Sequence, residues 1–361
     1  MTRRRPTARQ AGLAAAVLAL AALLLSLSGC STLGYYAQAA GGHLAIVRAA
    51  KPVSEWLADP EAPEALKARL RLSQQMRDFA VTELHEPDNA SYRRFADLDR
   101  RSVIWNVVAA PELSLKLKTW CFVVVGCVGY RGYYAEADAK AFAETLRAQQ
   151  LELSVYGVPA YSTLGKLPAW DAFADPLLNT FINYPEGDLA RLIFHELAHQ
   201  IAFAPGDTVF NESFATSVER IGGDRWLAQH GSPQARAALA ESDARRQDFR
   251  DLTTRYRDLL NALYDGPGSD DDKRAGKARL MQALRADYDT LKRERWGGYA
   301  GYDNWFAHAN NASFGVLAAY TQLVPNFERL FEREGSDFER FYAAVKHLAA
   351  LPQDERRAQL P

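Results

Sequence analysis

The 361-residue sequence predicts an α+β fold that is mostly helical, with a small mixed sheet in its first half. Three runs rich in Val, Ile, Trp and Phe, at 102–106, 120–128 and 152–158, are typical of strands. From about Asp188 onward the apolar residues follow a helical spacing, interrupted at turns that contain Gly, Pro or Asp. A chain of this length can bury a large core. The sheet should therefore precede a helical half.

The first 29 residues predict a leader that is absent from the mature protein. Four arginines precede an apolar run of about 15 residues at 11–25, which is too short for a membrane-spanning helix. The tetrapeptide Leu-Ser-Gly-Cys at 27–30 follows directly and resembles a bacterial lipobox. That resemblance implies cleavage before Cys30 and lipidation of its thiol. A plain secretory signal with an incidental cysteine is the alternative.

A lipid anchor at Cys30 would place the protein in the cell envelope. Diacylglycerol plus an amide-linked acyl chain is sufficient for stable membrane attachment. Ser31 rather than Asp follows Cys30, which in a Gram-negative bacterium favours the outer membrane, with the chain facing the periplasm. Removing the four leader arginines from 43 basic residues leaves 39 against 44 acidic residues, a net charge of −5. No basic patch stands out, so no nucleic-acid partner is expected.

The mature chain is expected to consist of a lipidated tether and one domain. Glycines at 34, 41 and 42 predict a tether with little internal structure over 30–43. The domain spans 44–361, with helices and the small sheet in 44–187 and the helical half in 188–361. Boundaries of the helical patterns are expected at Pro52, 59–63, 136, 150, 205–206, 231–233 and 265–272.

Two cysteines remain once Cys30 carries lipid. They are Cys121 and Cys127, six positions apart. An export compartment permits disulfides, and these two form the available pair. A bridge between them would brace the surrounding segment locally. The alternative is two unpaired buried thiols.

The most informative motif is His-Glu-x-x-His at 195–199, inside an apolar, helix-forming segment. At about 3.6 residues per turn, His195 and His199 project from one face, one turn apart. Two imidazoles at this spacing can hold one Zn²⁺, and Glu196 lies beside the open coordination position. This arrangement is typical of a zinc-dependent peptidase.

A catalytic zinc needs a third protein ligand beyond the two histidines. The metzincin pattern would place Gly and His three and six residues after His199, where this chain has Ala202 and Pro205. That class is therefore excluded, and a Glu on the following helix is the remaining common choice. This helix carries Glu212 and, seven positions later on nearly the same face, Glu219.

The sequence Asn-Glu-Ser-Phe-Ala at 211–215 resembles the third-ligand helix of the gluzincin peptidases, which include zinc aminopeptidases with Asn-Glu-Gly-Phe-Ala. The resemblance implies that Glu212 is the third ligand. Thermolysin-like enzymes place an Asp four residues after this Glu, where the present chain has Thr216. Glu219 is instead expected to accept an N–H from a ligand histidine and fix its tautomer.

Taken together, the lipobox and the segments 121–134, 158–165, 195–200 and 211–215 are similar to the bacterial predicted-aminopeptidase lipoprotein family. The resemblance implies a membrane-anchored zinc peptidase, an aminopeptidase by family label, that acts on peptides. It also implies a zincin-like fold, in which an edge strand above the zinc helix pairs with extended substrate. Segment 158–165 holds that place by its order along the chain.

The expected reaction is attack of a zinc-activated water on a peptide carbonyl, with Glu196 as general base. A further donor would stabilise the oxyanion, and Tyr302 is the best candidate in the aromatic run 296–308. The anionic group that an aminopeptidase needs for the free α-amine is not identifiable from sequence. Two alternatives remain: a zinc endopeptidase of the cell envelope and a non-catalytic, zinc-stabilised scaffold. The intact Glu196 argues against the scaffold.

Overall fold

A computed structural model describes residues 30–122, 126–164 and 174–361, with side chains undescribed at 30–33 and 318–321. The predicted leader at 1–29 and the thiol of Cys30 lie outside this description, so lipidation stays a prediction. The helices are α1 (Cys30–Ala49), α2 (Val53–Ala58), α3 (Glu64–Thr82), α4 (Glu136–Arg147), α5 (Glu186–Ala198), α6 (Thr208–Gln229), α7 (Pro233–Asp265), α8 (Asp270–Glu294), α9 (Asp303–His308), α10 (Asn311–Thr321), α11 (Val324–Arg333), α12 (Phe338–Ala350) and α13 (Gln353–Gln359). The strands are β1 (Lys51–Pro52), β2 (Arg94–Ala96), β3 (Ile104–Pro111), β4 (Trp120–Phe122), β5 (Gly126–Val128), β6 (Arg131–Tyr133), β7 (Leu151–Val158) and β8 (Leu177–Leu178). The α+β, mostly helical prediction is confirmed.

Helix α1 occupies the segment for which the sequence predicts a tether with little structure. That expectation was wrong in its secondary structure, since α1 runs continuously from Cys30 to Ala49. Glycine costs a helix about 1 kcal/mol relative to alanine, but the segment also contains Ala37, Ala39 and Ala40, the residue type with the highest helix propensity. The chain divides into two compact units between Ala45 and Ile46. Among the described helices, none has the length and apolar composition needed to span a bilayer.

Three small sheets are present among the described residues. The first has the order β6-β3-β7, and β7 runs antiparallel to β3 along its whole length, which leaves β7 at an edge. The second, β1-β2-β8, combines an antiparallel and a parallel pairing and is therefore mixed. The third is the hairpin β4–β5, where the sequence predicts one strand.

A disulfide joins the two strands of the β4–β5 hairpin. Cys121 and Cys127 are directly opposite in the register, with Cα atoms 3.8 Å apart. Gly126 has a φ of 75°, and a Cβ added there would lie 2.7 Å from the backbone nitrogen of Gly206. Gly206 belongs to the turn between α5 and α6. The bridged hairpin therefore packs backbone against backbone on that turn.

Among the described residues, two large hydrophobic clusters lie beside a small one at Val108, Ala110 and Ala312. We call the first the site core: it surrounds α5 and α6 and contains fully buried aromatic rings at Phe181, Phe194, Phe210, Phe214, Phe327 and Phe341. The second, the arm core, lies under the long hairpin of α7 and α8. Its buried members include Tyr256, Leu260, Leu284, Tyr288, Phe306 and Phe314.

The α7–α8 hairpin begins and turns at capped positions. Ser232 accepts the backbone N–H of Ala235 at 3.0 Å, with Pro233 in the first turn of α7. In the turn between α7 and α8, Ser269 and Asp272 form a capping box that starts α8. With 33 and 25 residues, the two helices are roughly 50 and 38 Å long at ~1.5 Å per residue.

Candidate metal centre

Helix α5 fixes the two histidines because nearly all of it is buried. Leu189, Ile193 and Leu197 are fully buried in the site core and hold the helix in one rotation about its axis. His195 and His199 lie one turn apart, as the motif predicts, and their Nε2 atoms are 3.2 Å apart. Both residues are buried, at 9% and 8% exposure respectively.

Helix α6 starts from a strongly held N-cap. Asp207 accepts the backbone N–H of Phe210 at 3.1 Å and forms salt bridges with Arg356 and Arg357, both at 2.5 Å. Asp207 and Arg356 are buried. The sequence gives no sign of this contact, because the two arginines lie about 150 residues further along the chain.

Asn211 fixes the turn that joins the two site helices. Its Oδ1 accepts the backbone N–H of Ala204 at 2.8 Å, and its Nδ2 donates to the Ala204 carbonyl at 2.9 Å. Asn211 directly precedes Glu212, so these bonds limit how far the glutamate can move from the histidines. The Asn of the Asn-Glu-x-Phe-Ala motif thus has a structural role for which sequence analysis offers no prediction.

Glu212 lies against both histidines. Its Oε2 is 3.4 Å from Nε2 of His195 and 3.7 Å from Nε2 of His199. The ligand atoms of the three residues all lie within 4.8 Å of one another. Ligands about 2.1 Å from a tetrahedral zinc are about 3.4 Å apart. The spacing of these three atoms therefore fits one zinc ion without rearrangement.

Glu219 holds the second nitrogen of one histidine. Its Oε2 is 2.8 Å from Nδ1 of His195, which donates its N–H to the carboxylate, so Nε2, on the side of Glu212, is the nitrogen that a metal would bind. Burial opposes the positive charge of His195, but the hydrogen bonds to Glu212 and Glu219 raise its pKa well above the usual value. Burial lowers the pKa of His199 to about 4, which keeps that imidazole neutral, the form that binds metal.

Glu196 is 8% exposed and has a strongly perturbed acidity. Burial raises the pKa of Glu196 to about 8 against the attraction of His195, and the carboxylates of Glu212 and Asp175 add to the increase. A carboxylate with a raised pKa accepts a proton readily near neutral pH. The group beside the histidines is therefore suited to work as a base.

Tyr302 lies in the arm core instead of among the histidines. Its ring stacks on Phe249 with centroids 4.5 Å apart and also packs against Trp296. The charges that act on it come from Arg245, Arg246 and Arg250 of α7. Among the described contacts, none joins Tyr302 to the histidines or to Glu212. Its role as oxyanion donor stays a prediction.

Three residues that sequence analysis overlooks act electrostatically on the site. Burial raises the pKa of Tyr156 on β7 to about 12, with the charge of Glu212 adding to the increase. Tyr92 and Asp175 are each 1% exposed. The charge of Asp175 raises the pKa of Glu196, and the charge of Glu196 adds to the effect of burial in raising the pKa of Tyr92. Tyr156 falls in a predicted strand, which was a usable signal. Tyr92 and Asp175 belong to separate loops, and no sequence pattern marks either of them.

Comparison with known protein families supports an assignment. The model of the family described as "Putative aminopeptidase" matches residues 34–360, which is most of the chain and includes the whole cluster of histidines and carboxylates. Neither a curated protein nor a solved structure with significant similarity was found. The matched segment is long enough to show the family. The chain belongs to the family described as "Putative aminopeptidase".

Proposed function

We propose that this protein is a zinc-dependent aminopeptidase. His195, His199 and Glu212 would hold one Zn²⁺, and Glu196 would act as general base. The observation that carries the proposal is the convergence of three ligand atoms within 4.8 Å, on two buried helices, beside a carboxylate whose pKa is raised to about 8. A site that only stabilised the fold would not need a base at that position.

The chain's own residues divide the work of hydrolysis. A bound Zn²⁺ would lower the pKa of its water toward ~7 and polarise the peptide carbonyl. Glu196 accepts the proton of the attacking water and passes it to the leaving amine. Glu219 keeps His195 in the required tautomer through its 2.8 Å hydrogen bond. Tyr156 stays protonated at neutral pH and is close enough to feel the charge of Glu212, so it is a second candidate for oxyanion donor besides Tyr302.

Strand β7 supports binding of an extended peptide. The carbonyl of Val158 accepts the backbone N–H of Val103 on the β3 side. The carbonyl of Leu153 accepts a hydrogen bond from Nδ2 of Asn310 on the other side. Because backbone groups alternate between the two edges of a strand, those of Val155 and Gly157 face the open edge. In the described part of the chain, no hydrogen bond from outside the sheet reaches them. The pairing edge lies at 151–158, just before the predicted segment 158–165.

The proposed location is the cell envelope, with Cys30 lipidated and the domain facing the periplasm from the outer membrane. The Cys121–Cys127 disulfide supports an oxidising compartment, where such bonds persist. The proposed partners are peptide substrates and the membrane that holds the anchor.

The test compares wild type with Glu196→Gln on a library of free and N-acetylated peptides, with chelator controls. We expect one zinc per chain in both proteins and a rate for Glu196→Gln at least ~100-fold lower, because a general base contributes about that factor or more. Full activity of the zinc-loaded variant would refute the mechanism. Equal cleavage of free and acetylated peptides would indicate an endopeptidase, and no cleavage by wild type would favour the scaffold.

A further inference from the structure

A buried carboxylate oxygen without a partner lies near the proposed base. Oδ2 of Asp175 accepts the backbone N–H of Thr163 at 3.0 Å and its hydroxyl at 3.1 Å. Oδ1 is buried and has no hydrogen-bond partner in the described part of the chain. An unsatisfied buried acceptor of this kind costs about 1–3 kcal/mol or more. Such an atom calls for an explanation, and a ligand that supplies the missing donor is one.

A second unsatisfied atom belongs to Tyr92. Its Oη is buried and lacks a hydrogen-bond partner among the described residues, and its backbone N–H donates to the Asp175 carbonyl at 2.7 Å. The two residues are therefore fixed to each other. Tyr92 has a φ of 63°, a left-handed conformation that costs a non-glycine residue about 1–3 kcal/mol. The surrounding structure therefore keeps the Tyr92 backbone in a strained conformation, and strained backbone residues often cluster at binding sites.

A hydrogen bond holds this pair at the end of α5 that carries Glu196. Nε2 of Gln200, directly after His199, donates to the hydroxyl of Ser91 at 3.1 Å, and Tyr92 follows Ser91. The charge of Asp175 raises the pKa of Glu196, and the charges of Glu196 and Asp175, after burial, raise the pKa of Tyr92. In a peptide, the α-nitrogen is about 2.5 Å from the carbonyl carbon of the same residue. A group that binds the amine of the first residue must therefore lie close to the base that activates water. Asp175 and Tyr92 meet this requirement.

The chemistry of the unsatisfied atoms selects a cationic donor. A carboxylate oxygen accepts only, and the phenol oxygen can accept as well. No basic side chain forms a salt bridge with Asp175 in the described part of the chain, and the Asp175 carboxylate itself would repel an anion at neutral pH. An ammonium group offers three N–H donors and a positive charge. We infer that Asp175 Oδ1 and Tyr92 Oη bind the α-ammonium group of the substrate's first residue, an assignment that rests on the proposed peptidase function.

The test uses leucine p-nitroanilide and its N-acetyl form with the full, zinc-loaded chain. Wild type should prefer the free amine. Asp175→Asn should lower kcat/KM for the free amine about 10- to 100-fold, mainly through KM, because a hydrogen bond to a charged group is lost. Its zinc content should not change, and the ratio of its free-amine rate to its acetylated rate should fall toward one. Tyr92→Phe should have a smaller effect in the same direction.

Tyr342→Phe is the matched control. Its Oη is also buried and has no hydrogen-bond partner among the described residues. After burial, the charge of Glu86, and not that of Asp175, raises the pKa of Tyr342. We expect Tyr342→Phe to keep the wild-type preference. If Asp175→Asn and Tyr92→Phe both keep the wild-type ratio of free to acetylated rates, the assignment is overturned while the peptidase function stands.

A binding measurement separates the two proposals. Leucinamide should bind wild type more tightly than N-acetylleucinamide, and the difference should disappear in Asp175→Asn, as measured by calorimetry. If wild type hydrolyses neither p-nitroanilide but shows this Asp175-dependent binding, the peptidase function fails and the amine site stands. Equal affinity of wild type for the two amides would overturn the amine site.

Discussion

The site core and the arm core differ in how fully their buried polar groups are hydrogen-bonded. In the described part of the chain, the buried side-chain atoms without a hydrogen-bond partner include those of Glu86, Tyr92, Asp175 and His199. No such atom belongs to α7 or α8. The arm instead has capped helix ends and exposed ion pairs such as Arg255–Asp287. The arm is locally optimised, whereas the site core keeps polar groups available for ligands.

This difference shows where function costs stability. Natural proteins retain unsatisfied or strained groups where activity needs them, and the rest of the fold compensates. The compensating contacts around the metal centre are buried and charged, as at Asp207 and Arg356. Substitutions near the site should therefore have large effects, and those on the arm small ones.

The largest expected effect comes from Asp207→Ala. The change removes the cap of α6 and leaves Arg356 buried without its partner, which should lower the free energy of unfolding by about 3–5 kcal/mol. Glu241→Ala is the control on the arm: its side chain is 70% exposed, and the loss should be about 0.5 kcal/mol or less. Urea titrations of both variants measure the contrast, and equal losses would contradict it.

Asp175 should also make stability depend on pH. Burial raises its pKa in the folded chain to about 6, above about 3.9 in the unfolded chain, so the folded state binds the proton more tightly. The resulting stabilisation is complete below pH ~4 and is lost as pH rises through ~6. Asp175→Asn should therefore be more stable than wild type at pH 7 by up to about 3 kcal/mol. Parallel unfolding curves for the two proteins between pH 4 and pH 7 would contradict this account.

Gly126→Ala tests the contact between the bridged hairpin and the α5–α6 turn. The new Cβ would meet backbone atoms of Gly206 and require a strained φ, at a cost of about 1–3 kcal/mol. We expect weaker zinc binding as the turn shifts. On the arm, the atoms nearest to a Cβ added at Gly276 belong to the side chain of Leu263, which can move. Gly276→Ala should therefore leave the zinc affinity unchanged. Zinc titration of both variants gives the answer; unchanged affinity in Gly126→Ala would show that the hairpin does not support the site.

The sequence predicts the local part of the site and misses the distant part. Helical periodicity places His195 and His199 on one face, and the same argument places Glu219 on the face of Glu212. Asp175 and Tyr92 reach Glu196 only through tertiary packing, which no local spacing encodes.

Two errors in secondary structure have simple physical reasons. Residues 120–128 lack a turn signal before Gly126, so the β4–β5 hairpin was not distinguishable from one strand. At α1, good helix formers outweighed the glycines. Tyr302 is also instructive, because an aromatic run near a predicted site is as compatible with packing as with catalysis, and its ring stacks on Phe249.

The zinc content of purified Glu212→Ala and Glu219→Ala, compared with wild type, tests the central claim most directly. Wild type should hold one zinc per chain, and Glu212→Ala should lose it because one of three converging ligand atoms is gone. Glu219→Ala should keep zinc with about 10- to 100-fold weaker affinity, as expected for the partner of a ligand histidine. Full zinc in Glu212→Ala together with its loss in Glu219→Ala would contradict the assignment of the metal centre.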